Sequence, residues 1–277
     1  MKKIAIALIT LLCLTACGSN SNENTIVETE DTSDTFTVGM ECAYAPFNYQ
    51  VSEPTETSVA IDGGYCDGYD VMVARSIAES LGKELVIKKI SWNGLTPALQ
   101  TGEIDAIIAG MTANEDREEG IDFTDPYYDS HGMIMIVRAG SEEATYTDIQ
   151  QFSGKNIVGQ LGTNYDDVID QIEGVNHVTP KQTYPEMILA LQYGDVDGIT
   201  AEMAVATGVV NANSDLAIVE FEEGKGFECD TTVSIGLKEG SRGSEFYNSV
   251  QEALSSISEE TRAEWMALAV NNQPAAN

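Results

Sequence analysis

The chain has 277 residues, 43% of them hydrophobic, with 14 Lys+Arg against 45 Asp+Glu and a formal net charge of −31. That hydrophobic fraction supports packed cores and excludes a disordered chain or a Cys-dense disulfide scaffold, and the length allows about two domains of ordinary size. Clustered Lys and Arg, which a phosphate-tracking surface needs, are missing, so nucleic acid is excluded as a partner; beyond residues 4–16 no long apolar run supports a polytopic membrane protein.

Residues 1–17 read MKKIAIALITLLCLTAC. Lys2 and Lys3 precede an apolar run, Ile4 to Leu14, that is too short to span a bilayer comfortably and fits an export signal. An uncleaved anchor is the alternative. Leu14-Thr15-Ala16-Cys17 weighs against it, because it resembles the lipobox of bacterial lipoproteins, in which the Cys is lipidated and becomes the mature N-terminus. Acyl anchoring is additive at about 0.8 kcal/mol per buried CH₂, and two chains give stable attachment. The following polar, acidic run, GSNSNENTIVETEDTSD, reads as a flexible tether. Cys42, Cys66 and Cys229 remain in the mature chain. Outside the cytoplasm a disulfide is permitted. If one forms, Cys42–Cys66 is favoured, since both lie near predicted strand ends of one segment; three unpaired thiols is the alternative.

From Thr35 onward, strand and helix patterns alternate. Phe36–Glu41 is a predicted strand, and 70–81 (DVMVARSIAESL) an amphipathic helix stopped by Gly82. Strands are expected at 85–90, 105–109, 133–137, 156–160, 198–200, 216–221 and 233–237. Helices are expected at 95–101, 165–172, 185–193, 245–257 and 259–270. Strands separated by helices imply βαβ units and mostly parallel sheets. Residues 98–107 (ALQTGEIDAI) and 190–199 (ALQYGDVDGI) repeat the same unit: a helix end, a Gly stop, an acidic turn and a buried strand. One copy in each half predicts two similar α/β lobes.

In open α/β sheets, ligands bind beyond the carboxyl ends of the strands. The first repeat is followed there by Gly110, Met111 and Thr112, then by Arg117; the second is followed by Glu202. Alone, Arg117 among four acidic neighbours reads as a solvated helix turn, and Glu202 as an acid near a helix N-terminus. Together, at repeat-related strand ends, they offer a cation and an anion suited to a zwitterion. A guanidinium can grip a carboxylate bidentately.

Tyr44-Ala45-Pro46-Phe47, Gly68-Tyr69-Asp70-Val71, Trp92-Asn93-Gly94-Leu95-Thr96-Pro97-Ala98-Leu99, Gly110-Met111-Thr112 with Arg117, and Asp122-Phe123-Thr124-Asp125-Pro126-Tyr127-Tyr128 resemble family 3 of the bacterial extracellular solute-binding proteins. Gln160-Leu161-Gly162-Thr163 and Gly194-Asp195-Val196-Asp197-Gly198 extend the match over about residues 36–270. The resemblance implies an α/β, two-lobed periplasmic-binding-protein-like fold of type II, each lobe a mostly parallel sheet flanked by helices, with a two-segment hinge near 129–132 and 229–234. The expected organisation is signal peptide 1–16, lipidated tether 17–35, first lobe 36–130, second lobe 131–231 and first-lobe return 232–277. The implied function is a lipid-anchored extracytoplasmic receptor that binds a polar amino acid and delivers it to an ABC permease.

The resemblance assigns the ligand carboxylate to Arg117, with Thr112 and the Thr163/Asn164 turn, near Gln160 and Gly162. It assigns the ammonium to Glu202, where many members carry Asp, and to the Gly110 carbonyl beside Met111. Tyr44, Phe47 and Trp92 are expected as aromatic walls, with core packing as the alternative for at least one. Glu41, at the end of the first predicted strand, is expected to face the ligand side chain, with an ordinary strand-end carboxylate as the alternative; with Asp70 it favours a basic or amide group. A monomer without cofactor or metal is expected. His131 and His177 lack partners at ligand spacing and read as surface or packing residues. The rival readings are a dehydratase-like enzyme on the same fold and a ligand sensor.

Overall fold

The computed structural model describes residues 34–130 and 132–274. The signal peptide, Cys17, most of the tether and His131 lie outside the described residues. In chain order, β1 (Thr35–Met40), β2 (Ala43–Tyr44), β3 (Asn48–Val51), β4 (Val59–Ile61) and β5 (Gly64–Asp67) precede α1 (Tyr69–Leu81). Next come β6 (Glu84–Lys89), α2 (Trp92–Thr101), β7 (Ala106–Ile107), α3 (Glu115–Glu118) and β8 (Ile121–Asp129). Then follow β9 (Met133–Arg138), β10 (Asn156–Val158), α4 (Asn164–Asp167), β11 (Asn176–His177), α5 (Tyr184–Tyr193), β12 (Gly198–Glu202), α6 (Met203–Ala212) and β13 (Leu216–Val219). The chain returns through β14 (Thr232–Lys238), α7 (Glu245–Ser256) and α8 (Glu259–Asn272).

Two five-stranded sheets organise the lobes, ordered β6-β1-β7-β14-β8 and β11-β10-β12-β9-β13. They have the same plan. Three neighbouring strands are parallel, the fourth is reversed and the fifth again runs with the first three. The reversed strand in each sheet is the first strand after a crossing between lobes, β9 in one and β14 in the other. A small antiparallel sheet, β2-β3-β5-β4, is added to the first lobe.

The sequence repeat is matched hydrogen bond for hydrogen bond. Gly102 and Gly194 end α2 and α5 in the left-handed conformation, φ 74° and 81°. The next amides, Glu103 and Asp195, close back on the Ala98 and Ala190 carbonyls, both at 2.9 Å. Asp105 and Asp197 then bridge to the neighbouring strand in the same way. Their amides donate to the carbonyls of Thr37 and Asn156, at 2.8 and 2.7 Å. Their carboxylates accept from the amides of the same two residues, at 2.7 and 2.9 Å. The acidic residue in each copy therefore sets the register of the buried strand that leads to the site.

Several expected boundaries shift. The helix expected at 165–172 is a single α-turn, α4, continued by a 3₁₀ turn, Val168–Gln171. The helix expected from Leu95 begins at Trp92, because Ser91 is still extended and helical geometry starts at the next residue. The strand β8 was not expected; it contains Pro126, and β14 accommodates it with register shifts around Ser234. Cys42 and Cys66 are joined with their Cα atoms 5.7 Å apart, pinning the end of β1 to β5, while Cys229 is free. The two crossings are laced together: Thr232 pairs with Asp129, and the Gly132 amide donates to the Thr231 hydroxyl at 3.1 Å.

Candidate functional site

The strand ends of both sheets converge on a hollow of about 10 Å³. Glu41, Tyr44, Trp92, Gly110 and Arg117 line it from the first lobe, and Gln160, Thr163, Asn164 and Tyr165 from the second. Hydrogen bonds cross the cleft between these groups. Gln160 Nε2 donates to Glu41 Oε2 at 3.0 Å, Trp92 Nε1 to the Gly162 carbonyl at 2.9 Å and Asn164 Nδ2 to the Thr112 hydroxyl at 3.3 Å.

Arg117 is aimed by its local fold. Asn114 caps α3 by accepting from the Arg117 amide at 2.9 Å. The guanidinium lies 5.2 Å from the centroid of the Trp92 ring. It donates to the Thr112 carbonyl at 2.8 Å and across the cleft to the Gly162 carbonyl at 3.3 Å. Burial lowers its pKa from the ordinary value, and nearby acidic groups oppose that. Two glycines allow this close approach. Gly110 has φ +61°, and a Cβ there would stand 2.8 Å from the Tyr44 ring. Gly162 has φ +74°, and a Cβ would stand 2.9 Å from Asn93 Oδ1.

Glu202 comes from the end of β12, in the opposite lobe, and is fully buried. It sits one layer behind the hollow, in a tyrosine cage. Oε1 accepts from the Tyr44 hydroxyl across the cleft and from the Tyr165 hydroxyl at 2.9 Å. Oε2 has no hydrogen-bond partner among the described residues. Burial raises the carboxyl pKa, with the hydroxyls of Tyr44, Ser130 and Tyr165 pulling it down. Tyr184 packs on Tyr44 with centroids 5.0 Å apart, and its hydroxyl is fixed by the Thr200 carbonyl at 2.8 Å.

Ten of the thirteen ligand residues expected from the sequence border this arrangement directly or through one hydrogen bond: Glu41, Tyr44, Trp92, Gly110, Thr112, Arg117, Gln160, Gly162, Thr163 and Asn164. Glu202 stands behind Tyr44 and Tyr165. Phe47 is fully buried and stacked behind Tyr44 at 5.2 Å, so it backs the wall rather than forming it. Met111 is buried, and its carbonyl receives the Ser234 amide at 2.8 Å, tying the site to the returning strand. Asp70 is fully buried away from the hollow, bonded to Tyr127 and Asn48, and so cannot face a ligand side chain. The sequence reading missed Tyr165 and Tyr184. Tyr165 directly follows Asn164, and that adjacency was the only available signal. His177 is exposed, as the surface reading has it, and bridges Asp166 and Asp170 on the second lobe.

Two lobes built on one plan, each presenting its strand ends to a shared hollow, define the class of two-lobed binding proteins that close on a small solute. The match to the bacterial extracellular solute-binding proteins, family 3, spans residues 36–267, and the chain belongs to that family. It is 30% identical to a probable histidine-binding protein of Campylobacter jejuni, covering 82% of this chain and 85% of that one. It is 28% identical to the ABC transporter glutamine-binding protein GlnH of Bacillus subtilis, covering 87% of both. The crystal structure of an amino acid ABC transporter substrate-binding protein, AbpA from Streptococcus pneumoniae, bound to L-arginine, superposes with a TM-score of 0.74 at 25% identity, covering 86% of this chain and 95% of that one. The chain is thus an extracytoplasmic solute-binding receptor, not an enzyme.

Proposed function

We propose that the protein is a lipid-anchored receptor for a polar amino acid with a cationic or amide side chain, which it delivers to an ABC importer. The observation that carries this reading is the placement of Arg117 on the first-lobe wall of the hollow and of Glu202 on the opposite lobe, one layer behind it and bonded to the wall residues Tyr44 and Tyr165. A zwitterion is costly to bury unless both charges are paired. In this reading Arg117 grips the α-carboxylate with Thr112 and the Thr163/Asn164 turn, exchanging its backbone partners for a charged one. Glu202, together with the Gly110 carbonyl, takes the ammonium when the Tyr44 hydroxyl yields its place. Glu41 and Gln160 meet the ligand side chain, and Glu41, as an acceptor, selects groups that donate. Relatives described as histidine-, glutamine- and arginine-binding are consistent with that selection. Each lobe supplies half of the partners, so the ligand stabilises the closed arrangement by its differential contacts. The reading places the first lobe at 36–130 with a return at 232–277, the second at 131–231, and the lipid on Cys17.

A thermal-shift screen of the purified soluble part against the full set of amino acids tests the receptor reading. A ligand at about a thousand times its Kd adds about 4 kcal/mol of stability. Arg, Lys, His or Gln is expected to raise Tm; a flat response to every amino acid contradicts the reading. Metabolic labelling with a radioactive fatty acid is expected to mark the wild-type chain and not Cys17→Ala, and a wild-type chain that takes up no label contradicts the anchor.

A further inference from the structure

We propose that Asp70 is a positioning residue for the first lobe's half of the ligand site, acting through Tyr127 on Gly110 and through Asn48 on the backbone that follows Glu41. The proposal rests on the amino-acid-receptor reading above.

Asp70 lies in the first turn of α1 and is fully buried. Each of its oxygens has one side-chain donor. The Tyr127 hydroxyl donates to Oδ1 at 2.7 Å and Asn48 Nδ2 donates to Oδ2 at 2.8 Å. Each donor then accepts from a backbone amide at the site. The Gly110 amide donates to the Tyr127 hydroxyl oxygen at 3.1 Å, and the Cys42 amide donates to Asn48 Oδ1 at 2.7 Å. Gly110 lines the hollow, and Cys42 is the residue after Glu41.

The polarity of both chains is fixed from their outer ends. A backbone N–H can only donate. The Tyr127 oxygen therefore accepts from Gly110, and its single proton goes to Asp70. Asn48 must turn its carbonyl to Cys42, so its amino group faces Asp70. Asp70 is then required to accept on both oxygens, which only the ionised carboxylate does without a clash. A fully buried carboxylate with no cation among its hydrogen-bond partners is expensive, and packing alone does not require one. What it does supply is orientation. One chain holds Gly110 at φ +61° beneath Tyr44; the other holds Cys42 at φ +51°, unusual for a residue with a Cβ. Both conformations aim a ligand-facing group, the Gly110 peptide in one case and the Glu41 side chain in the other.

The test uses the mature soluble chain and calorimetric titration with whichever amino acid gives the largest thermal shift. Asp70→Asn sets its new amino group against that of Asn48, and Asn48→Asp sets two carboxylates against each other. Tyr127→Phe removes one hydroxyl and leaves the ring. Each variant is expected to bind at least about tenfold more weakly than wild type, the loss that accompanies an unsatisfied buried polar group. The exchanged pair, Asn48→Asp with Asp70→Asn, restores a donor for every acceptor and is expected to return to within about threefold of wild type. A merely structural role predicts no such recovery, because the double variant carries two core substitutions. Should Tyr127→Phe bind like wild type, or the folded exchanged pair stay as weak as the single variants, the positioning role is overturned. Absence of amino-acid binding by wild type itself would instead overturn the receptor reading.

Discussion

Glu41 and Gln160 occupy equivalent positions in the two lobes and are hydrogen-bonded to each other across the cleft at 3.0 Å. Val38 pairs with Ala106 in one sheet and Ile157 with Gly198 in the other, and Ala106 and Gly198 match in the sequence repeat. Three residues beyond Val38 and Ile157 stand Glu41 and Gln160. The internal repeat thus brings two corresponding strand ends face to face, one supplying an acceptor and the other a donor. A ligand side chain that enters between them meets both.

The pair sets a pH response. Burial pushes the Glu41 carboxyl up from 4.5 to about 7, with the Gln160 hydrogen bond opposing and Glu186 adding to the rise. The folded value exceeds the unfolded one, so the folded chain holds this proton more tightly. The stability it contributes is full below about pH 4 and is lost as pH rises through about 7. The melting temperature without added ligand is expected to fall between about pH 5 and pH 8, and Glu41→Gln to make that fall shallower. A wild-type melting temperature that rises over this interval contradicts the assignment.

Glu202 is expected to separate stability from binding. Glu202→Gln keeps an acceptor for Tyr44 and Tyr165 and removes the ionisable group whose charged form burial disfavours, so the melting temperature is expected to rise. The same change deprives a ligand ammonium of its counter-charge, so affinity is expected to fall at least about tenfold. Parallel melts and titrations check this, and a variant that melts lower while binding normally reverses both expectations.

His177 offers a spectroscopic check on the second lobe. Its Nε2 lies 2.9 Å from Asp166 and its Nδ1 2.9 Å from Asp170. Ionised carboxylates only accept, so this bridge favours the imidazolium, the form in which both ring nitrogens donate. Burial lowers its pKa, but the two carboxylates outweigh burial and hold the value above 6.5. The associated stability is full below about pH 6.5 and is lost as pH rises through the folded value. An NMR titration is expected to place the His177 midpoint above the ordinary histidine value, and Asp166→Asn with Asp170→Asn to lower it. An unchanged midpoint in the double variant contradicts the bridge.

The parts of this molecule that were legible in its sequence are those written locally. The helix stops at Gly102 and Gly194 and the acids at 105 and 197 are the same residues doing the same work in both lobes, and a ten-residue comparison exposes them. Arg117 stood out because basic residues are scarce. β8 was hidden because Pro126 interrupts its pattern, and β2 to β5 because strands of two to four residues have no period to read. The tyrosine cage was not legible either. Tyr44 is expected as a ligand wall, but Tyr165 and Tyr184 each look like core aromatics, and only the fold gathers the three around Glu202. Asp70 misled for a related reason: its acidity was visible, but its burial against Tyr127 and Asn48 depends on contacts distant along the chain.

The central claim is that Arg117 and Glu202 clamp the two ends of one amino acid from opposite lobes. Calorimetric titration of Arg117→Ala beside wild type, with the amino acid that most raises the melting temperature, tests it most directly. The account predicts that the variant stays folded and loses at least about 3 kcal/mol of binding, because a desolvated carboxylate is left without its partner. An Arg117→Ala protein that binds as tightly as wild type contradicts it.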